Sequence, residues 1–219
     1  MKQLKHLDIT FDLETCSLAA NAAVIQVAAV AWDRSSSRAE FGHTPVPFFE
    51  AKVDLRSCVM DGFDFDQETV KWWAEKPAAL RQVMASGNCY PIQEVFQQFL
   101  QWMDEAKVLT GASSLSLWAQ GADMDIAILR HVCRFYHLAL PVSFHDFRDA
   151  RTFIVEVAAR HLEQPLSGIA DHKLVYDLMP PLPTDLLADY ASQQHNALYD
   201  ALRTSWCLHE CFQMLPPHL

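Results

Sequence analysis

Basic side chains are scarce: 17 lysines and arginines face 27 aspartates and glutamates in 219 residues, a formal net charge of −10. That sign argues against a protein that coats long duplexes by neutralising phosphates. It leaves room for an enzyme that grips one chain end through bound cations. Paired cysteine motifs are missing too. Cys16, Cys58, Cys89, Cys133, Cys207 and Cys211 are scattered without a CxxC, and Cys207 and Cys211, one helical turn apart, lack the other ligands a zinc site needs. Reduced, buried thiols in a cytoplasmic protein are the expectation. No apolar run is long enough to cross a bilayer, since "AANAAVIQVAAVAW" is too short and holds Asn21 and Gln26. The opening "MKQLKHLDIT" carries charge into its first apolar stretch and does not read as a signal peptide. There are no repeats and no low-complexity tail. What remains is a chain that is 51% apolar, enough for a single α/β domain over residues 1–219.

Three strands are expected early, at 6–14 (HLDITFDLE), 23–33 (AVIQVAAVAWD) and 46–54 (VPFFEAKVD), with short connections that favour an antiparallel meander. The period then changes. Residues 66–86 show helical spacing, with Asp66 as N-cap and Pro77 splitting the run into two short helices. Residues 91–106 form an amphipathic helix with Val95, Phe96, Phe99, Leu100 and Met103 along its stripe. A buried strand at 115–119 (LSLWA) runs into a helix reaching residue 138. A strand over 142–147, a helix over 150–162, a rigid loop at 179–184 and a long helix over 195–215 complete the pattern. The predicted fold is α/β, a mixed five-stranded sheet of three antiparallel strands plus two parallel ones, flanked by helices. Ligands bind beyond the strand ends of such sheets.

In "ITFDLETCSL" (9–18), Ile9, Phe11 and Leu13 suit a buried strand, but Asp12 and Glu14 interrupt it. Residues two apart on a strand share a face. The two carboxylates therefore lie side by side, and burying such charges costs several kcal/mol each unless something compensates. "GADMD" (121–125) follows a buried strand and "HNALYDA" (195–201) opens the last helix, adding Asp123, Asp125, His195 and Asp200. Convergence of Asp12, Glu14, Asp125 and Asp200 is tolerable only around cations, and hard carboxylate oxygens suit Mg²⁺ or Mn²⁺ over zinc. Two ions about 3.5–4 Å apart clamp a phosphodiester between attacking and leaving oxygens, with Asp12 as the bridge. His195 and Asp200, five apart, do not stack on one helical face. The histidine belongs on the approach loop, where a neutral imidazole takes a proton from the attacking water.

"FDLET" (11–15), "GADMDIAIL" (121–129) and "HNALYDA", in that order, resemble the three motifs of the DEDDh 3′–5′ exonucleases. "NAAVIQVAAVAWD", "ETVKWWAEKP" and "RDARTF" are similar to the branch containing exonuclease VIII, the T4-type phage exonuclease A and the mycobacterial ribonuclease AS. The resemblance covers nearly the whole chain. It implies an RNase H-like fold, two divalent cations (Mg²⁺ or Mn²⁺) and hydrolysis from a 3′ end that releases nucleoside 5′-monophosphates. By the same resemblance Asp12, Glu14 and Asp200 hold the first ion and Asp12 reaches the second. Asp125 acts directly or through water, His195 is the general base, and Thr15 meets the terminal nucleotide, partly through its backbone. Met124 stands where the family usually has phenylalanine. Beside it Asp123 competes with Asp125 for the metal role, with Asp123 read as a helix N-cap. Many relatives are homodimers, which makes self-association an expectation, though no stretch of sequence marks an interface. The implied partner is a nucleic-acid 3′ end, single-stranded given the acidic balance, with no membrane. DNA versus RNA stays open, since that choice rests on contacts to the 2′-OH.

Each motif is weak alone; their order and their places at element ends make them strong together. Trp72 and Trp73 point about 100° apart on a helix, so at most one faces the cleft, for base stacking, and core packing is the alternative. Phe63 and Phe65 either wedge against a terminal base or pack inside. Arg148 and Arg151 either touch phosphate or serve structure. Trp118 reads as core, and His131, His137, His145 and His172 as structural. Two other functions stay in view. A non-catalytic nucleic-acid-binding relative would have lost a carboxylate or the histidine, and none is missing. An RNase H-type endonuclease shares the fold but uses no histidine at this position.

Overall fold

The computed structural model describes residues 4–76, 88–161, 179–183, 186 and 195–215. β1 (His6–Thr15) pairs antiparallel with β2 (Val24–Trp32), in a register running from Asp8 opposite Trp32 to Glu14 opposite Gln26. β2 pairs antiparallel with β3 (Phe48–Val53), completing the expected meander. A two-residue strand, β4 (Cys89–Tyr90), lies parallel to β3. On the other side β1 pairs parallel with β5 (Ser114–Ala119), and β5 with β6 (Phe147–Asp149). The order is β4-β3-β2-β1-β5-β6, six strands where the sequence predicts five. The extra edge strand is too short to leave a periodic signal. The last strand also starts later than expected. Ser143 N–H donates to the Asp146 carboxylate at 2.7 Å, so the chain turns over most of 142–147 and extends only from Phe147.

Every residue of β2 is buried, because helices cover both faces of the sheet. One face packs on α3 (Ile92–Thr110), where Phe99 meets Phe11 and Phe49 at ring-centroid distances of 5.9 and 5.3 Å. The opposite face packs on α5 (Ala150–His161) and α6 (Ala197–Met214). Alternation along β1 follows from this. Leu7, Ile9, Phe11 and Leu13 are each at most 3% exposed in the α3 core, and such burial is worth about 1.5–3 kcal/mol per side chain. Asp8, Thr10, Asp12 and Glu14 take the other face, toward α6.

Capping places the shorter helices. Asp54 accepts from Arg56 N–H at the start of α1 (Leu55–Met60), a helix the sequence reading lacks because six residues leave little periodicity. Asp66 caps α2 (Gln67–Glu75) by accepting from Thr69 N–H, as expected. The helix expected beyond Pro77, the end of the 179–184 loop and His172 lie outside the described residues. The run predicted as one helix to residue 138 is a π-type turn (Ala122–Ile126) leading into α4 (Ala127–Phe135). Asp123 does not cap it: its side chain is exposed, and the Asp149 carboxylate accepts from Ala122 N–H at 2.8 Å instead. All six cysteines are free thiols, Cys89 alone being exposed. Among the described residues no helix is long and apolar enough to cross a membrane.

Candidate active site

Two kinds of carboxylate share the α6-facing side of β1. Asp8 is fully buried and fully partnered: Arg34 donates twice, at 2.8 and 2.6 Å, and the Trp118 indole N–H once, at 2.7 Å. Burial pushes its carboxyl up, but hydrogen bonds from His6, Arg34 and Trp118 outweigh that and hold it below the ordinary range. Asp12 and Glu14, four and six residues on, have no counter-ion among the described residues. They face a third carboxylate instead. One oxygen each from Asp12, Glu14 and Asp200 lie within 4.8 Å of one another.

Asp200 reaches that position from the first turn of α6. Asn196 caps the helix by accepting from Leu198 and Tyr199 N–H. Ala197 N–H, which the cap does not satisfy, donates to Gln26 Oε1 at 3.1 Å, and Gln26 Nε2 donates to Glu50 at 2.6 Å. Gln26 is fully buried opposite Glu14 in the ladder, so it ties the start of α6 to the strand behind the carboxylates. Asp125 enters from the π-type turn after β5, only 2% exposed, with Oδ1 lacking any hydrogen bond. It stands outside the triangle of three, yet its charge acts on both Asp12 and Glu14. Of the two candidates in "GADMD", Asp125 therefore joins the cluster and Asp123 does not.

Burial raises all four, and repulsion from neighbouring carboxylates adds to it for Asp12 and Glu14. Asp12 lies well above its ordinary value, with Asp125, Glu14 and Asp200 adding to burial. Burial and the Asp200 and Asp125 charges push Glu14 up to about 8. Burial takes Asp125 to about 7, tempered by a backbone hydrogen bond from Leu13 and by the Arg151 charge. Asp200 goes to about 6, where His195 N–H, donating to Oδ2 at 3.0 Å, limits the rise. An acidic group held this way lacks a positive partner, and its hard oxygen donors, with one buried oxygen unsatisfied, fit a divalent cation.

His195 sits at the edge of the cluster with φ +67°, a left-handed conformation that histidine adopts more readily than most side chains. Its ring meets Trp72 edge to face at 4.7 Å between centroids. Burial, then the Lys76 charge, lowers its pKa, so the imidazole is neutral at neutral pH. A groove of about 420 Å³ opens beside it, lined by Leu13, Glu14, Thr15, Leu18, Trp72 and Met124 among others. Thr15 is 6% exposed; its hydroxyl donates to Ser17 O and its carbonyl accepts from the Trp73 indole at 2.8 Å. The tryptophan pair thus divides, with Trp73 inside and Trp72 half-buried toward the groove and His195. Phe63 does not wedge into the cleft: it is buried against His131, Phe135 and Tyr136, while Phe65 is 37% exposed. Trp118 is core, and the Arg148 guanidinium binds the carbonyls of His145 and Phe147.

A family model, the 3′–5′ exoribonuclease Rv2179c-like domain, matches residues 7–212. The chain belongs to that family. Its motifs and fold place it in the DEDDh 3′–5′ exonuclease superfamily. The crystallographic structure of the nuclease domain of 3′hExo, a DEDDh family member bound to rAMP, superposes with a TM-score of 0.55 at 14% identity, over 97% of this chain and 94% of that one. At that identity the likeness speaks for the fold alone. No curated protein matches the chain.

Two residues of this exoribonuclease-family site escape the sequence reading. Gln26 carries a signal, a lone amide in an apolar strand, but its partner lies 171 residues away. Asp149 carries none, because the turn it caps begins 27 residues earlier in the chain.

Proposed function

We propose that the protein is a metal-dependent 3′–5′ exonuclease that removes nucleoside 5′-monophosphates from single-stranded ends, RNA foremost. One observation carries this: Asp12, Glu14 and Asp200 converge within 4.8 Å, with no counter-ion among the described residues. Asp12, Glu14 and Asp200 would hold one Mg²⁺ or Mn²⁺, and Asp12 with Asp125 a second. Ions held by these carboxylates would supply Lewis-acid polarisation of the phosphate and stabilisation of charge on the leaving oxygen. His195 takes a proton from the water that attacks phosphorus, and the 3′-oxygen of the penultimate nucleotide leaves with the shortened strand. The Trp72 ring fixes the plane of that imidazole, and the His195 N–H bond to Asp200 couples the base to the carboxylate cluster. The groove walls Leu13, Leu18 and Trp72 seat the terminal nucleoside beside Thr15 and exclude water from it. RNA is favoured by the family description.

The test is one incubation series. Oligonucleotides labelled at the 3′ or 5′ end, as matched RNA and DNA, are followed with Mg²⁺ or Mn²⁺. Early mononucleotide release from the 3′ label supports the proposal. Internal cuts point to an RNase H-type endonuclease, and intact substrate to a binding relative without catalysis.

Metal removal should show in the pH dependence of stability. Carboxyls with raised pKa values in the fold contribute stability fully below their ordinary values near 4 and lose it as pH rises through the folded values. Those are about 6 for Asp200, about 7 for Asp125 and about 8 for Glu14. Asp8, Asp66, Asp146 and Asp149 are shifted the other way and have finished titrating by pH 5. In chelator, Tm is therefore expected to fall between about pH 5 and 8, while the gain on adding Mn²⁺ grows over the same interval. A metal-induced gain independent of pH would contradict the cluster as the binding site.

A further inference from the structure

We propose that Arg151 binds a backbone phosphate of the nucleic-acid strand at the Asp125 edge of the cluster; this rests on the exonuclease reading above. A chain of net charge −10 with four converging carboxylates repels a polyanion, so entry of a strand needs a cation at the rim. Among the described residues, Lys76 and Arg151 bring positive charge to the site. Lys76 acts on His195, with its ammonium 5.3 Å from the Trp72 ring centroid. Arg151 acts on Asp125 from the first turn of α5.

Three observations favour a ligand for this arginine. First, it is exposed, and among the described residues one bond is made, from a terminal nitrogen to Gln120 O at 3.2 Å. That anchors the guanidinium and leaves its other N–H groups free for the bidentate geometry phosphate favours. Second, it is not spent on Asp125: the two form no ion pair, and Asp125 Oδ1 has no hydrogen bond. Third, its clamp on the turn is redundant. Asp149 already holds Ala122 N–H at 2.8 Å, and Met124 N–H donates to Gly121 O at 3.1 Å. Gly121, at φ +123°, puts bare backbone beneath the guanidinium, where a Cβ would stand 3.6 Å from its nitrogen. Arg148, three residues earlier, is the internal contrast, its guanidinium taken up by the carbonyls of His145 and Phe147.

The experiment follows degradation of a 5′-labelled single-stranded oligonucleotide by wild type, Arg151→Gln, Arg151→Lys and Arg148→Gln between about 50 and 200 mM salt, with melts confirming the fold. Arg151→Gln is expected to raise KM about tenfold or more, as loss of a charge-assisted hydrogen bond does. It should also flatten the dependence of log KM on log salt by about 0.7, the loss of one single-strand phosphate contact. Arg151→Lys should restore the slope and part of the affinity, and Arg148→Gln should keep the wild-type slope. An Arg151→Gln protein that loses kcat with KM and slope unchanged would make the residue a clamp of the turn and overturn the proposal. So would equal flattening by both glutamine variants, which marks general charge. Wild type that releases no mononucleotides sinks the exonuclease reading itself, a result separate from either.

Discussion

Asp12→Asn is expected to abolish nucleotide release and yet to stabilise the metal-free protein. Asparagine keeps the volume of the side chain, so no cavity forms, and no hydrogen bond of the Asp12 carboxylate is lost among the described residues. What disappears is a half-buried charge facing Glu14, Asp125 and Asp200. Asparagine is neutral without taking up a proton, so at pH 8 in chelator the folded state gains what the wild type loses to its raised Asp12 carboxyl. A gain of about 2 kcal/mol corresponds to roughly 4–8 °C in Tm for a chain of this length. The oligonucleotide assay and thermal melts with and without Mn²⁺ check both halves. Turnover at the wild-type rate removes Asp12 from the mechanism. A lowered metal-free Tm would mean that the carboxylate has an unseen favourable partner.

His195→Ala is expected to lower kcat by about two to four orders of magnitude, the usual worth of a positioned general base. KM for the oligonucleotide and the Mn²⁺-induced rise in Tm should change little, because no carboxylate is touched. Alanine is poorly suited to the left-handed backbone at this position, so the loss could come from the backbone and not the ring. His195→Asn separates the two: asparagine tolerates φ +67° and offers no base. Both variants should show the same loss in kcat, and a flattened acid limb in the pH–rate profile. Retention of activity by the asparagine variant would assign His195 a backbone role only.

The parts of this site legible in the sequence are those whose physics is local. Asp12 and Glu14 stand out because charge in an apolar strand is costly and the period of two puts both on one face. Asp66 is readable as a cap because its partner lies three residues on, and the order of the three motifs carries the family. Where partners are distant, the reading fails. Asp123 looks like the cap of its helix, but Asp149 has that task. Gln26 looks like an argument against a membrane span, whereas it ties α6 to the sheet. Phe63 and Phe65 are equivalent by composition, and only the packing of α4 buries the first. The choice between Trp72 and Trp73 depends on how α2 rolls against the end of β1.

Sequence alone determined that acidic groups recur at three element ends, in an order and spacing that name a chemistry. The tertiary structure decided which of them meet, that Asp8 on the same strand is neutralised by Arg34 while Asp12 and Glu14 are not, and that Arg151 is left with donors to spare. The reason is that a charge's cost and its use both depend on what stands within a few ångströms of it, and those neighbours come from other segments, 26 residues away for Asp8 and Arg34 and on the last helix for Asp12 and Asp200.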